Sequence, residues 1–166
     1  MQVLETHRDA FPFDSRPGIV NSIRIPIVID DSRLFAESPR QVVPHKRRIT
    51  DHSIDQLLDM DIIEPANSRV GYPVVLVKQN DKWRFCVDYR NLKLATTGQA
   101  YLMTRTDSIF DALHGKSVFS ILDAARSYHQ LPIAEAARWK PAFLTHRGLY
   151  QYKRIPLGLK NAPLQF

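Results

Sequence analysis

A single cysteine, Cys86, is all the thiol chemistry this chain has. An intramolecular disulfide is therefore excluded, and the count fits a reducing compartment. No apolar run approaches the roughly 20 residues needed to cross a bilayer, so no membrane partner is expected. The N-terminal MQVLETHRDAF lacks both the basic head and the apolar stretch of a secretory signal. The expected location is cytoplasmic or nuclear rather than secreted. The histidines, at positions 7, 45, 52, 114, 129 and 146, show no metal-ligand spacing, which argues against a zinc site. No nucleophile–base arrangement, internal repeat or low-complexity segment stands out. The last 43 residues are also nearly devoid of acid: Glu135 is alone there.

What is present is an ordinary globular composition. Hydrophobic residues make up 44% and charged residues 24% of 166 positions, enough for one domain or one and a half with a real core. The net charge of +6 sits entirely in residues 124–166, where Arg126, Arg138, Lys140, Arg147, Lys153, Arg154 and Lys160 face Glu135 alone. Such an excess suits a polyanionic partner, because each neutralised phosphate releases counterions. A solvated basic face is the commoner explanation of charge alone.

Residues 1–48, rich in Pro and charge, read as an extended leader. Its alternating SIRIPIVI (22–29) reads as a short strand that Pro26 would confine to an edge, and its basic cluster His45-Lys46-Arg47-Arg48 reads as solvated. Thr50 can cap a helix running to about Asp61, with Ile54, Leu57 and Leu58 on one face. PVVLVK (73–78) and WRFCVDYR (83–90) are β-rich runs on either side of Gln-Asn-Asp-Lys, a hairpin pattern. Residues 93–105 read as irregular, Asp107–Leu113 as a short helix, and Ser117–Leu122 as a strand ended by Asp123. AARSYH can open a helix; QLPI (130–133), a short helix around Glu135–Trp139 and a second hairpin, PAFLTH/RG/LYQYKRI, follow. Without a regular βαβ period, this alternation predicts an α+β fold with a largely antiparallel sheet.

Asp123, at the end of an apolar strand and ahead of a helix, is placed to hold a divalent metal. In an isolated LDAA the commoner role is a helix cap contributing about 1 kcal/mol. Downstream the only other acid is Glu135, so the residues offer half a metal site. Arg84 and Lys78, on the two strands of the first hairpin, could lean over a triphosphate, or could simply be exposed strand positions. Trp83, Phe85 and Tyr89 read first as core or half-core aromatics. PLGLKNAP is a turn-rich approach to a helix whose one Gly and one Lys make a weak phosphate signal.

The order of these segments is more specific than any of them alone. IDQLLDMDIIEPANS (54–68), PVVLVKQNDKWRFCVDYRNL (73–92), FSILDAARSYHQLPI (119–133) and KPAFLTHRGLYQYKRIPLGLKNAP (140–163) together resemble the fingers-and-palm segment of gypsy-type LTR retrotransposon reverse transcriptases. The resemblance implies a right-hand polymerase with an incomplete palm. Residues 49–97 would open the fingers, 98–130 begin the palm, 131–157 complete the fingers, and 158–166 start a truncated palm helix. It implies RNA-directed DNA synthesis by two-metal nucleotidyl transfer in the intact enzyme, with Mg²⁺ as cofactor and primer–template and dNTP as partners. By position, Asp123 matches the first catalytic carboxylate, and the Ala124 carbonyl would share its metal. Tyr128 matches the aromatic that crowds the sugar 2′ position. Arg84 and Lys78 match the triphosphate-binding pair of the fingers, and Gly158 and Lys160 match a loop that contacts nucleotide and template.

The sequence departs from the family at several points: Ser127 for Gly, Pro141 for Thr, Leu92-Lys93 for Leu-Asn, YLMTR (101–105) for YPLPR, and Leu164-Gln165-Phe166 for ATFQ. These fit a decayed or divergent copy. The family's paired aspartates, in a Tyr-x-Asp-Asp hairpin further on, have no counterpart in the 166 residues. The expectation is a truncated product or a piece of a longer polyprotein carrying the remaining polymerase and RNase H regions, inactive alone. The alternative is a fragment without catalysis, either nucleic-acid-binding or an inert relic.

Overall fold

The computed structural model describes residues 5–7, 16–30, 32, 37–38, 43–98, 105–121 and 123–164. Helix α1 (Pro44–Asp59) leads into β1 (Ile63–Pro65), β2 (Tyr72–Gln79) and β3 (Lys82–Val87). Two short helices follow, α2 (Arg90–Ala95) and α3 (Thr106–Leu113), then 3-10 turns at Ser127–Gln130 and Glu135–Ala137, and the hairpin β4 (Phe143–Thr145)–β5 (Gly148–Tyr152). The five strands form one sheet in the order β1-β5-β4-β2-β3. All neighbours are antiparallel except β2 and β4, which run parallel where Tyr72 meets Phe143. The α+β class and mainly antiparallel sheet expected from the sequence are those observed.

The hairpin β2–β3 follows from its turn. Asn80 and Asp81 both adopt positive φ, 47° and 59°, the backbone of a two-residue turn whose twist matches the flanking strands. Asn and Asp tolerate that region better than other non-glycine residues. Register then places Val77 opposite Arg84 and Lys78 opposite Trp83.

The main core lies where α1 crosses the sheet. Ile54 and Leu57 of α1 are buried, as the helical spacing predicts, with Leu58 partly so. They join Ile62, Ile63, Phe143, Tyr150, Tyr152 and Ile155. A second cluster, Val70, Tyr72, Tyr89 and Leu92, is fixed by the edge-to-face contact of Tyr72 with Tyr89 at 5.4 Å and by the Tyr89 hydroxyl donating to the Pro141 carbonyl at 2.7 Å. Burial pushes the Tyr72 phenol up to about 12, and Glu37 adds to the effect.

Several sequence expectations are corrected. α1 begins at Pro44 and ends at Asp59, so the boundary set at residue 48 falls inside a helix. Pro44 supplies the pre-set φ of a first helical position. Thr50 is consequently not a cap: it is buried mid-helix, and its hydroxyl donates back to the Lys46 carbonyl at 3.3 Å. Nor is the described part of the leader merely extended chain. Ile25 and Ile27 are core residues, and Ile25 makes a parallel bridge to Ile133, while Ile29 bridges to Thr96. These are isolated bridges, not the strand expected over 22–29. Residues 93–95 are helical rather than irregular. The strand expected at 117–122 is absent over its described residues 117–121, which are exposed, Ile121 94% so. A lone strand leaves its backbone hydrogen bonds unmade, and no neighbouring strand among the described residues offers them.

His129 makes stability depend on pH. Its ring stacks on Tyr152 at 6.3 Å between centroids, and its Nδ1 lies 3.1 Å from the Ile155 carbonyl oxygen. Burial is the main cause holding its pKa below the usual histidine value, with Arg126 and Arg154 adding repulsion. The unfolded chain therefore binds this proton more readily than the folded one. Stability contributed by the neutral ring is present above the unfolded pKa of about 6.5 and is lost as pH falls toward the folded value. Denaturant midpoints of the parent should fall between pH 7 and pH 5 more steeply than those of His129→Gln. Parallel curves would remove His129 as the cause.

Candidate active-site segment and its surroundings

Asp123 and Ala124 stand exposed on the loop between the unpaired segment 117–121 and the 3-10 turn Ser127–Gln130. The turn is set by Arg126 in the left-handed region (φ 49°, ψ 45°), after which the His129 amide donates to the Arg126 carbonyl at 2.8 Å. The Gln130 side-chain amide closes the loop by donating to the Ala125 carbonyl at 2.9 Å. A left-handed arginine is sterically costly, and such residues concentrate where a loop is held for function. The positive φ falls at Arg126, not at Ser127, where the family's glycine would sit. Tyr128 is half-buried and packs against the main core, which anchors the loop that carries Asp123.

The two hairpin cations do not share a face. Lys78 lies opposite Trp83, and Arg84 opposite Val77, so alternation turns their side chains to opposite sides of the sheet. Lys78 pairs with Asp81 at 2.8 Å, an exposed contact. Arg84 is exposed on the Cys86 side, where its charge partly offsets the upward push of burial on the thiol. Gly158 has φ +97°, which explains glycine there, and a Cβ would sit 3.7 Å from the Tyr89 ring. The Lys160 ammonium donates to the Thr96 carbonyl at 2.9 Å, and Asn161 donates to that of Thr97 at 2.8 Å. The 158–161 loop is thus fastened to the end of α2. The structure therefore groups Asp123, Ala124 and Tyr128 on one loop, Lys78 and Arg84 on a hairpin, and Gly158 and Lys160 against Tyr89 and Thr96.

A divalent ion asks for more than the described residues supply. Among them no group of three His, Cys, Asp or Glu could hold a metal. Asp123 with the Ala124 carbonyl offers two oxygens and one negative charge, whereas a two-ion site needs carboxylates from a further segment. The donor set present does not fit a complete site.

The basic excess of residues 124–166 is largely consumed inside the fold. Arg138 meets Glu64 at 3.5 Å, Arg147 meets Asp55 at 2.6 Å, and Lys153 meets Asp61 at 2.6 Å. Lys140 donates to the Ile27 carbonyl at 2.7 Å, and buried Arg154 donates to the carbonyls of Pro17, Gly18 and His129 at 3.1–3.3 Å. With Lys160 also engaged, Arg126 is the one of the seven whose side chain makes no hydrogen bond or ion pair among the described residues. The sequence could not show this, because all of these partners but the His129 carbonyl lie 64–137 positions away in the chain.

What sequence reasoning passed over is the other end of the charge map. Lys46, set aside as solvated, lies 4.5 Å over the Trp83 ring and joins the first turn of α1 to β3. The available signal was four consecutive basic residues directly after Pro44, where a helix begins.

Known proteins place this arrangement. The sequence profile of the reverse transcriptase (RNA-dependent DNA polymerase) family matches residues 76–166, a span containing every candidate site residue named above. The retrovirus-related Pol polyprotein from transposon 412 of Drosophila melanogaster is 30% identical over 95% of this chain and 13% of its own length. The enzymatic polyprotein of cauliflower mosaic virus (strain Strasbourg) is 32% identical over 82% of this chain and 21% of its own. The chain thus spans about a fifth or less of these two relatives. The prototype foamy virus protease–reverse transcriptase superposes on 99% of this chain and 22% of its own, with a TM-score of 0.85 at 22% identity. A foamy viral protease–reverse transcriptase in complex with double-stranded DNA superposes with a TM-score of 0.81 at 18% identity. This chain belongs to the reverse transcriptase family, RNA-dependent DNA polymerases.

Proposed function

We propose that residues 1–166 are the fingers and opening palm of a gypsy-type retrotransposon polymerase that copies RNA into DNA. The observation that carries the reading is the family match over residues 76–166, within which Asp123 occupies an exposed loop anchored by Tyr128. In this reading Asp123 supplies the first carboxylate of the reacting centre and Tyr128 screens the sugar. Arg84 attends the triphosphate, whereas Lys78, turned to the other side of the sheet and paired with Asp81, is left out of that role; Gly158 and Lys160 shape the floor beneath nucleotide and template. Primer–template and dNTP are the partners, and Mg²⁺ the cofactor once further carboxylates join Asp123. Its position within a longer polyprotein is supported by the Pol polyprotein relatives, and an RNase H region further along that polyprotein belongs to the same reading.

Phosphoryl transfer depends on positioning and on charge stabilisation from more than one segment. Residues 1–166 alone should therefore not extend a primer on a homopolymer template with Mg²⁺ or Mn²⁺. The same residues fused to the remaining polymerase of a relative should do so. Incorporation by residues 1–166 that Asp123→Asn abolishes would overturn the division of labour. A folded chimera that incorporates nothing would overturn the polymerase reading.

A further inference from the structure

The leader is built into the segment that leaves the Asp123 loop. Residues 130–134 run between two neighbours. On one side the Val20 and Ile25 amides donate to the carbonyls of Gln130 and Pro132, and the Ala134 amide donates to the Ile25 carbonyl, each at 2.9 Å. On the other side the Ile155 amide donates to the Leu131 carbonyl at 2.9 Å, and the Ile133 amide to that of Lys153 at 2.8 Å. Successive peptides thus face opposite neighbours, and the segment's backbone groups are satisfied only with the leader in place.

Arg154 joins the three strips through one atom. It is 6% exposed, and its Nη1 donates to the Pro17 carbonyl at 3.1 Å and to those of Gly18 and His129 at 3.3 Å. The next carbonyl, that of Ile155, lies 3.1 Å from His129 Nδ1, so residues 154 and 155 hold His129 by main chain and side chain together. The His129 amide in turn donates to the Arg126 carbonyl at 2.8 Å, and the Leu131 amide to the Tyr128 carbonyl at 3.2 Å, closing the turn on which Tyr128 stands. Burying a cation is a costly way to fill space, since an apolar side chain would pack there without losing hydration. What the guanidinium adds is a charged, directional donor to carbonyls of two separate segments. The turn it grips contains the left-handed Arg126, a conformation that persists only where the surroundings impose it.

We propose that Arg154 is a positioning residue. Clamped on the leader carbonyls of Pro17 and Gly18, it sets the turn Ser127–Gln130 and so the place of Tyr128, five positions after Asp123. The leader is then a working part of the site. The consequence for nucleotide choice rests on the polymerase reading; the clamp itself does not.

The test is amide hydrogen exchange in residues 1–166, read at His129 and Leu131 in the turn and at Tyr72 in the sheet, whose amide donates to the Ala142 carbonyl at 2.9 Å. Arg154→Met, apolar and of similar length, should speed exchange at His129 and Leu131 by at least about tenfold and at Tyr72 by less than about threefold, the pattern of local opening. Arg154→Lys, which keeps a charged donor, should recover part of the protection. Deleting residues 1–18 removes two of the three carbonyls and should reproduce the selective loss. Adding Arg154→Met to that deletion should cost less than it does in the parent, because the two changes remove the same contacts. Should Arg154→Met not fold, Arg154→Lys and the deletion read the same amides. Unchanged exchange at the turn would overturn the proposal, as would equal acceleration at Tyr72, which marks a loss of global stability alone. In the chimera, Arg154→Lys should move the ratio of ribo- to deoxynucleotide incorporation, whereas Ile54→Val, a core change in α1, should not. An unmoved ratio in Arg154→Lys with loosened turn amides would overturn the link to nucleotide choice. A parent chimera that incorporates nothing would overturn the polymerase reading and leave the exchange result standing.

Discussion

Phe143→Ala should cost about 3–5 kcal/mol of stability, the range for emptying a buried aromatic site. Phe143 is fully buried and is the meeting point of the sheet. In register it faces Tyr150 on β5 and Tyr72 on β2, so it stands where the parallel and antiparallel pairings join. Its ring packs at 5.7 Å on Phe85, 5.9 Å on Tyr150 and 5.1 Å on Tyr152. Truncation leaves those rings facing a void that a sheet held on both sides cannot close. Domains are stable by about 5–15 kcal/mol, so the loss is a large part of the whole. At about 2–4 °C per kcal/mol for a chain of this size, the melting temperature should fall by roughly 10 °C. Val118→Ala is the control: Val118 is 84% exposed, and its change should stay within about 0.5 kcal/mol. Equal losses in the two variants would mean that the core is not organised around Phe143.

The parts of the fold legible in the sequence are those written locally. Asn80-Asp81 between two β-rich runs specifies a hairpin by its own backbone preferences, and Arg147-Gly148 ends the turn of the second. Ile54, Leu57 and Leu58 mark a buried helical face by spacing alone. The parts that were misread depend on distant partners. VFSIL has the composition of a strand, but a strand exists only beside another, and none among the described residues pairs with 117–121. Thr50 resembles a cap until Pro44 starts the helix earlier. Arg154 reads as surface charge, yet it is buried against three backbone carbonyls, two of them in the leader. The candidate site divides the same way. The loop Asp123–Tyr128 is continuous in sequence and could be named from it. The opposite facing of Lys78 and Arg84 is a matter of register, and the fastening of Lys160 to Thr96 is a contact across 64 positions.

In a chimera completed by a relative's remaining polymerase, Asp123→Asn should cut turnover by at least about 10³-fold while leaving folding untouched. The substitution keeps the side chain's shape and removes its charge, and Asp123 is exposed, so no packed partner is disturbed. Charge placed at a reacting phosphoryl centre commonly carries several kcal/mol of transition-state stabilisation, and an uncharged amide cannot replace it. Tyr128→Ala acts through a different property. Tyr128 packs against the main core and is half-buried, so its truncation should cost about 1–3 kcal/mol of stability. If its ring also screens the sugar, the folded variant should keep measurable turnover and accept ribonucleotides more readily, because bulk and not charge has been removed. If Asp123 is merely an exposed loop carboxylate and Tyr128 merely an anchor, activity will track the fraction folded in both variants and sugar preference will not move. The two readings separate in one experiment: the ratio of ribo- to deoxynucleotide incorporation for parent, Asp123→Asn and Tyr128→Ala, each with a thermal melt. Full turnover in folded Asp123→Asn would remove this residue from the reacting centre. An unchanged ratio in folded Tyr128→Ala would leave the ring as the loop's anchor alone.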